Sequence, residues 1–225
     1  MKPAYFITGT DTDAGKTSIA AGLLCAAQQQ QRSTLAMKPV ASGCELSDEG
    51  LRNADALALM AQSSVQLPYS EVNPYAFAPA IAPHIAAQEA GVALSVNDLQ
   101  RAAQRILQAQ ADFTLIEGAG GWRVPISDTE YLSDLAIALQ LPVILVVGVK
   151  LGCINHALLS AQTILADGLE LAGWIANVVD PDCARLEENL ATLETLMPAP
   201  CLAKVPYLES LAAEKTAEYL LKLFL

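Results

Sequence analysis

Apolar, strand-like segments alternate with segments of helical periodicity along most of the chain, and this alternation limits the possible folds more than any other feature. Strand candidates at 5–8 and 35–40 flank the stretch 16–31, whose apolar residues recur at helical spacing. The run 143–147 is apolar throughout, as expected for a strand buried on both faces. Successive β-α-β units build a mainly parallel sheet with helices on both faces. The sequence therefore predicts a single doubly wound α/β domain over 1–225.

The remaining segments continue this pattern. Prolines punctuate the stretch 63–83, and we predict that it is loop. Elsewhere we predict strands at 113–116, 173–179 and 203–205 and helices at 53–61, 96–110, 155–165 and 184–196, with a last helix ending near Leu223.

The charge balance excludes several kinds of partner. The 225 residues include 13 Lys+Arg and 24 Asp+Glu, which gives a formal net charge of -11. Nucleic acids and anionic membranes bind basic surfaces, so we expect neither as a partner. The longest apolar run, 141–149, is far shorter than the ~18 residues of a membrane helix. Only 16% of the residues are charged, and we expect a second subunit to cover part of the surface.

The N-terminus and the cysteines indicate the compartment. The first residues contain too short an apolar run for a signal peptide. The five cysteines are scattered and form no Cys-x-x-Cys pair, so neither a zinc site nor a disulfide framework is indicated. We expect reduced thiols in a cytoplasmic protein.

The run Gly-Thr-Asp-Thr-Asp-Ala-Gly-Lys-Thr at 9–17 follows a predicted strand and opens a predicted helix, which is the context of a phosphate-binding loop. Backbone N–H groups of such a loop surround phosphates, its lysine reaches the terminal phosphates and its hydroxyl holds Mg²⁺. We assign the last two roles to Lys16 and Thr17, and we expect the fold of a phosphate-loop NTPase. Gly9 lies one residue earlier than the first glycine of the common motif. Thr12 is a further catalytic candidate, and other predicted nucleotide contacts are Asp13, Ala14, Gly15 and Ser18.

A second cation must come from outside this loop. ATPases of the partitioning family carry another lysine four residues before the glycine of the motif, and this chain has Asp11 there. Phosphoryl transfer still needs cations beside Mg²⁺. Lys38 is the best candidate, because it ends the second predicted strand, beside the crevice in which open α/β sheets bind ligands. We expect its side chain to lie in a solvated part of that crevice.

Two acidic residues are candidates for holding Mg²⁺, which prefers oxygen ligands. Glu117 ends a predicted strand, and the glycines after it allow a ligand to approach the backbone closely. Asp55 lies at the start of the predicted helix 53–61. Its position alone fits equally a metal ligand and a first-turn acid that stabilises the helix dipole. Nucleotide contacts are also predicted at Gly118, Ala119 and Gly120.

The segment 150–156 is a second candidate anion site. It joins the apolar run 143–147 to a predicted helix, and N–H groups at such a junction are free to bind an anion. The chain therefore offers one site for a nucleotide and another for a different anionic compound.

Several of these motifs together resemble the dethiobiotin synthetase family nearly from end to end. The pair formed by Lys-Pro-Val-Ala-Ser-Gly and Glu-Gly-Ala-Gly-Gly around this phosphate-binding loop is specific to that family. The matching segments lie at 5–17, 38–43, 50–57, 72–75, 117–121, 141–157 and 172–177.

The resemblance implies a ring-closing carboxylation. The substrates would be 7,8-diaminopelargonic acid, CO2 and MgATP, and the products dethiobiotin, ADP and phosphate. A carbamate formed on one amine would attack the γ-phosphate, and the second amine would then close the cyclic urea. The family works as a homodimer in which one subunit completes the substrate site of the other.

The resemblance also implies particular residue roles. It assigns Ser42 to the substrate, and it makes Asp55 a metal ligand. Here Val178 follows Asn177 where family members carry aspartate, which puts selectivity for the base in doubt. The implied positions are Thr17, Asp55 and Glu117 for Mg²⁺, Asn177, Pro206, Tyr207 and Leu208 for the adenine nucleotide, and Gly152, Cys153 and Asn155 for the substrate carboxylate of the other subunit.

Two alternatives stay open at this point. One is a nucleotide switch of the partitioning kind, which Asp11 and the segment 38–42 argue against. The other is a homologue that binds nucleotide without catalysis, against which the complete set of candidate catalytic residues argues.

Overall fold

The computed structural model describes residues 2–210 and 212–224, and its centre is a six-stranded sheet in which every neighbouring pair is parallel. Its strands are β1 (Ala4–Gly9), β2 (Thr34–Met37), β7 (Phe113–Glu117), β8 (Val143–Val149), β9 (Leu171–Val178) and β10 (Cys201–Val205), in the spatial order β10-β9-β8-β1-β7-β2. Four short strands form two smaller sheets, β3 (Val40–Ala41) with β6 (Tyr75–Ala76) and β4 (Glu45–Ser47) with β5 (Gly50–Arg52). The doubly wound α/β prediction is confirmed.

Helices cover both faces of the central sheet. They are α1 (Lys16–Gln29), α2 (Ala54–Ala61), α3 (Tyr69–Val72), α4 (Pro83–Glu89), α5 (Val96–Gln108), α6 (Leu132–Leu139), α7 (Cys153–Ala166), α8 (Leu186–Leu196) and α9 (Ala213–Leu220), the last continued by a 3-10 turn at 221–223.

The core is divided by the sheet into two clusters, because successive residues of a strand point to opposite faces. On β1, Phe6 packs with the cluster that contains α5 to α8, whereas Ile7 packs with α1 and α9. On β8, Leu145 and Val146 divide in the same way. Burial on both faces explains why the central strands are apolar throughout.

The structure differs from the predicted elements at several boundaries. Strand β2 ends at Met37, because Lys38 and Pro39 turn away from the sheet and the backbone N–H of Lys38 donates to the carbonyl of Val72. The stretch 63–83, predicted to be loop, contains α3 and β6, and no element was predicted where α6 lies. Helix α7 begins at Cys153, two residues before the prediction, α8 begins at Leu186, and the last α-helix ends at Leu220.

The topology positions the candidate site. Strand β1 lies between β7 and β8. The chain builds β2 and β7 on one side of β1 and then crosses to the other side, where it builds β8, β9 and β10. Open α/β sheets bind ligands at such a switch point, beyond the carboxyl ends of the strands. Within residues 2–210 and 212–224, no helix has the length and apolar character needed to span a bilayer.

Candidate active site

The segment between β1 and α1 has the conformation of a phosphate-binding loop. Asp13 and Gly15 both lie in the left-handed region, with φ of 61° and 84°. A Cβ atom on Gly15 would lie 2.1 Å from Nδ2 of Asn177, so both the backbone conformation and the close contact require glycine here. Two bonds hold the loop against β8. The N–H of Thr10 donates to the carbonyl of Val146 at 2.9 Å, and its hydroxyl accepts from the N–H of Gly148 at 3.2 Å.

Lys16 folds back over this loop. Its ammonium group donates to the carbonyl of Asp11 at 3.0 Å, and the residue is buried. Burial, and secondly the nearby charge of Lys38, lower the pKa of Lys16 to about 8. The negative charge of an anionic ligand in the loop would favour the charged form of Lys16.

Four chain segments bring a second lysine together with two carboxylates and a hydroxyl. Nζ of Lys38 lies 2.5 Å from Oε1 of Glu117 and 3.0 Å from Oδ2 of Asp55, and it also donates to the carbonyl of Gly118 at 3.3 Å. The hydroxyl of Thr17 donates to the same Oε1 of Glu117 at 2.8 Å. This cluster lies where the carboxyl ends of β2 and β7 meet the start of α1.

The expectation of a solvated Lys38 is wrong. The residue is 4% exposed, and Glu117 is 0% exposed. Burial opposes the charge of Lys38, but the negative charges of Glu117 and Asp55 outweigh it and raise the pKa of Lys38. Burial alone would raise the pKa of Asp55. The positive charge and hydrogen bond of Lys38 outweigh burial and hold the pKa of that carboxyl below its ordinary value. The lysine is therefore charged and fixed by its partners.

The cluster fits a divalent cation. Oε2 of Glu117 is buried and has no hydrogen-bond partner among the described residues. Thr17 and Asp55 both line the cavity, and a donor set of hydroxyl and carboxylate oxygens is one that Mg²⁺ takes. Two carboxylates and a hydroxyl leave about half of the octahedral coordination of Mg²⁺ to phosphates and water.

A cavity of about 810 Å³ lies above the cluster. Its polar part brings together eleven of the predicted site residues, and its other wall is largely apolar and includes 80–83 and 124–125. Two predicted contacts of the same loops do not line the cavity. Ala14 is buried inside the phosphate-binding loop, and the carbonyl of Gly118 accepts from the ammonium group of Lys38. The predicted residues that line the cavity are Thr12, Asp13, Gly15, Lys16, Thr17, Ser18, Lys38, Ser42, Asp55, Ala119 and Gly120.

The predicted adenine contacts lie outside the lining of this cavity. Asn177 is buried, and its Nδ2 donates to the carbonyl of Ala14 at 3.0 Å, so it contacts the phosphate-binding loop from the end of β9. Tyr207 follows β10 and is 48% exposed, with Pro206 and Leu208 beside it. Their contact with a base stays a prediction.

The predicted carboxylate site lies at the start of α7, also outside the cavity. Gly152 has φ of 95° and open space around it, whereas the side chain of Cys153 is buried. Asn155 is exposed, and residues 152–155 do not line the cavity of their own subunit. That placement fits a role toward another subunit, which stays a prediction.

The structure adds residues to the site that the sequence analysis did not single out. Asn53 lines the cavity and caps α2, since its side chain accepts from the N–H of Ala56. Asparagine directly before a helix with an early acid is a recognisable capping signal. Arg123 also lines the cavity, with its guanidinium 2.5 Å from Asp167. No local sequence pattern predicts that ion pair, because its two residues are 44 positions apart in the chain.

The geometry defines a class of protein. A phosphate-binding loop at the switch point of a parallel sheet, with a lysine, a hydroxyl and a strand-end carboxylate beside it, is the site of a phosphate-loop NTPase. Solved structures share the fold. A ParA family ATPase from Chlorobium tepidum TLS is similar with a TM-score of 0.61 at 13% identity, covering 99% of this chain and 98% of that one. A chain of the MinC:MinD cell division protein complex from Aquifex aeolicus gives a TM-score of 0.60 at 11% identity, covering 96% and 86%.

Sequence comparison gives the family within that class. A family model described as an AAA domain matches residues 3–215. The ATP-dependent dethiobiotin synthetase BioD of Pseudomonas aeruginosa strain UCBPP-PA14 is 65% identical over 218 residues, which are 97% of this chain and 96% of that protein. The protein of the same name from Cellvibrio japonicus strain Ueda107 is 56% identical over 219 residues, with 97% and 96% covered. The chain therefore belongs to the ATP-dependent dethiobiotin synthetase family, as its motifs predicted.

Proposed function

We propose that this chain is the ligase that makes dethiobiotin from 7,8-diaminopelargonic acid, CO2 and ATP in biotin biosynthesis. The observation that carries the proposal is the convergence of Lys16, Lys38, Thr17, Asp55 and Glu117 beside one cavity, in a member of the dethiobiotin synthetase family. The cavity offers a polar part for phosphates and an apolar wall for an aliphatic chain.

The reaction has three steps. An amine of the substrate attacks CO2, loses a proton and becomes a carbamate. A carbamate oxygen then attacks the γ-phosphorus of ATP, the bond to the bridging oxygen breaks, and ADP leaves with the bonding electrons. Finally the second amine attacks the carbonyl carbon of the mixed anhydride, phosphate leaves, and loss of a proton gives the cyclic urea.

The chain's own residues stabilise the negative charge that these steps concentrate. Backbone N–H groups of the loop up to Gly15 surround the phosphates, and Lys16 contacts their terminal oxygens. Lys38 is held by Glu117 and Asp55 in the lining of the cavity, where its charge would stabilise the carbamate and the γ-phosphate. Such preorganised cations act strongly where water is excluded. Thr12 and Ser42 line the same cavity and are placed to contact the reacting groups.

Thr17, Asp55 and Glu117 would hold Mg²⁺. When bound, the ion neutralises charge on the β- and γ-phosphate oxygens. The unpartnered Oε2 of Glu117 supports this assignment.

The remaining roles follow from family membership. Asn177 with 206–208 would bind the adenine nucleotide, together with 118–120 below the phosphates. The start of α7 at 152–155 would bind the substrate carboxylate of a second subunit in a homodimer. Leu151 and Leu159, which are 94% and 55% exposed, support an interface there. We place this one-domain enzyme, 1–225, in the cytoplasm, without a nucleic-acid or membrane partner.

The test is product formation by the purified protein. With MgATP, bicarbonate and the diamine, mass spectrometry should detect dethiobiotin, and one ADP should form per dethiobiotin. Omission of the diamine is the matched control and should abolish ADP release above background. ADP release that is independent of the diamine, without dethiobiotin, would contradict the proposal and favour a nucleotide switch.

A further inference from the structure

A chain of buried and partly buried hydrogen bonds runs through the segment 69–75, to which no catalytic or binding residue has been assigned. Asn73 is 2% exposed. Its Oδ1 accepts from the hydroxyl of Tyr69 at 2.8 Å, and its Nδ2 donates to the carbonyls of Lys38 at 2.7 Å and Tyr75 at 3.3 Å. Every donor and acceptor of this amide is therefore engaged.

The chain continues from Tyr69 to the helix that carries Asp55. The hydroxyl oxygen of Tyr69 accepts from the backbone N–H of Asn53 at 2.7 Å. The side chain of Asn53 in turn caps α2 and donates to the carbonyl of Ser42 at 3.4 Å. The three residues Asn73, Tyr69 and Asn53, which we call the relay, thus connect the backbones at Lys38 and Ser42 with that of Ala56, the residue after Asp55.

The backbone of Lys38 depends on this segment. Lys38 follows the last residue of β2 and precedes a proline, so the sheet supplies no partners for its N–H and carbonyl groups. Val72 accepts from its N–H at 2.9 Å, and Asn73 donates to its carbonyl. Buried backbone groups need such partners, and here both come from α3 and the residue after it.

The relay has one arrangement only. The single hydroxyl proton of Tyr69 goes to Asn73, and its oxygen accepts the N–H of Asn53. The guanidinium of Arg52 stacks on the ring of Tyr69 at 4.2 Å, which fixes the ring. A fully satisfied buried network specifies one geometry.

We propose that Asn73 and Tyr69 are positioning residues for the reaction. They act through the backbones of Lys38 and Asn53, and they set the ammonium group of Lys38 against the carboxylate of Asp55. The inference rests on the proposed function. A displacement of about 1 Å at a catalytic group can reduce a rate about 100-fold, so loss of the relay should affect the chemical step more than nucleotide binding.

The main experiment replaces Tyr69 by phenylalanine in the full chain. Tyr69→Phe keeps the ring and removes the hydroxyl, leaving the N–H of Asn53 and Oδ1 of Asn73 without their partners. The single-turnover rate of ADP formation with diamine and bicarbonate should fall about tenfold or more, while the Kd for ATP stays within about twofold. Rates are expressed per nucleotide-binding site, so unfolded protein does not contribute. Tyr219→Phe, at an exposed position of α9, is the matched control and should leave both quantities unchanged.

A second variant keeps the inference testable if Tyr69→Phe does not fold. Asn73→Leu keeps a similar side-chain volume and removes both donors toward the carbonyls of Lys38 and Tyr75, together with the acceptor for Tyr69. It should show the same fall in single-turnover rate with an unchanged Kd for ATP. A rate within twofold of the unmodified chain for either folded variant overturns the inference, as does the failure of both variants to fold. Absence of dethiobiotin with the unmodified chain instead contradicts the proposed function.

Discussion

The ammonium group of Lys38 is surrounded by two carboxylates and one carbonyl oxygen, and it is almost completely buried. Removal of one partner from a buried ion pair costs about 3–5 kcal/mol, because the remaining charge loses its compensation. We therefore expect that replacement of Lys38, the proposed catalytic lysine, also destabilises the fold.

Lys38→Met should therefore lower both activity and stability. We expect turnover to fall about 100-fold or more. The free energy of unfolding should fall by about 3 kcal/mol, since Glu117 keeps only the hydroxyl of Thr17 as a partner. Dethiobiotin formation and urea titration measure the two effects.

Two further variants distinguish the effects. Lys38→Met combined with Glu117→Gln should recover most of the stability but none of the turnover, because the buried charge is then absent. Lys204→Met removes an ion pair with Glu194 in which both side chains are about half exposed, and it should change stability by less than about 1 kcal/mol. Full stability of Lys38→Met alone would contradict a paired, buried lysine.

At the scale of elements, the packing of α1 on α9 depends on a small residue. A Cβ atom on Gly22 would lie 2.6 Å from Cγ2 of Thr216 and 3.0 Å from Cδ1 of Leu220. Helix α1 carries the phosphate-binding loop at its start, so this close contact also fixes one end of the candidate site.

Gly22→Ala tests that contact. Helix propensity alone would stabilise the protein by about 1 kcal/mol. Forcing a methyl group into a packed contact costs about 1–3 kcal/mol, and the collision with a β-branched residue favours the upper part of that range. We expect a net loss of about 1 kcal/mol, seen as a fall of about 2–4 °C in the thermal midpoint. Thr195→Ala, at an exposed position of α8, is the control and should stay within about 0.5 kcal/mol. A higher thermal midpoint for Gly22→Ala would show that α9 shifts to make room for the methyl group.

The long elements were predictable, and the short ones were not. The central strands are recognisable because burial on both faces makes them apolar throughout. Helix α3 and strand β6 are only four and two residues long, which is too short for periodicity to show. Their stability comes from tertiary bonds, such as those that Val72 and Asn73 form with Lys38.

At the scale of the whole molecule, the net charge of -11 is compatible with a site that binds anions. Charge at the site depends on Lys16 and Lys38, and the second of these is held by two of the acidic residues. Elsewhere Asp11, at the position of the partitioning lysine, pairs with Lys150 at 3.4 Å. Total charge therefore describes the surface, whereas anion binding depends on local groups.

The proposed homodimer predicts the behaviour of the α7 face. Asn155 and Leu159 are one turn apart and lie on the same exposed side. Leu159→Lys would place like charges at a two-fold contact, so sedimentation equilibrium should show a dimer for the unmodified chain and a monomer for this variant. Turnover per chain should fall with it. Leu196→Lys, at an equally exposed leucine on α8, should leave the dimer intact. A Leu159→Lys dimer would place the interface elsewhere.

The sequence by itself determined the α/β class, the phosphate-binding loop and the family, because these depend on contiguous residues and regular periodicity. The loop consists of contiguous residues, so the places of Lys16 and Thr17 follow from the formation of β1 and α1 on either side. Lys38 and Glu117 are 79 residues apart, and their contact exists only because β2 and β7 are adjacent in the sheet. Only the tertiary structure decided that Lys38 is buried and that Asn73 donates to its carbonyl, since burial and partners are properties of packing between distant segments.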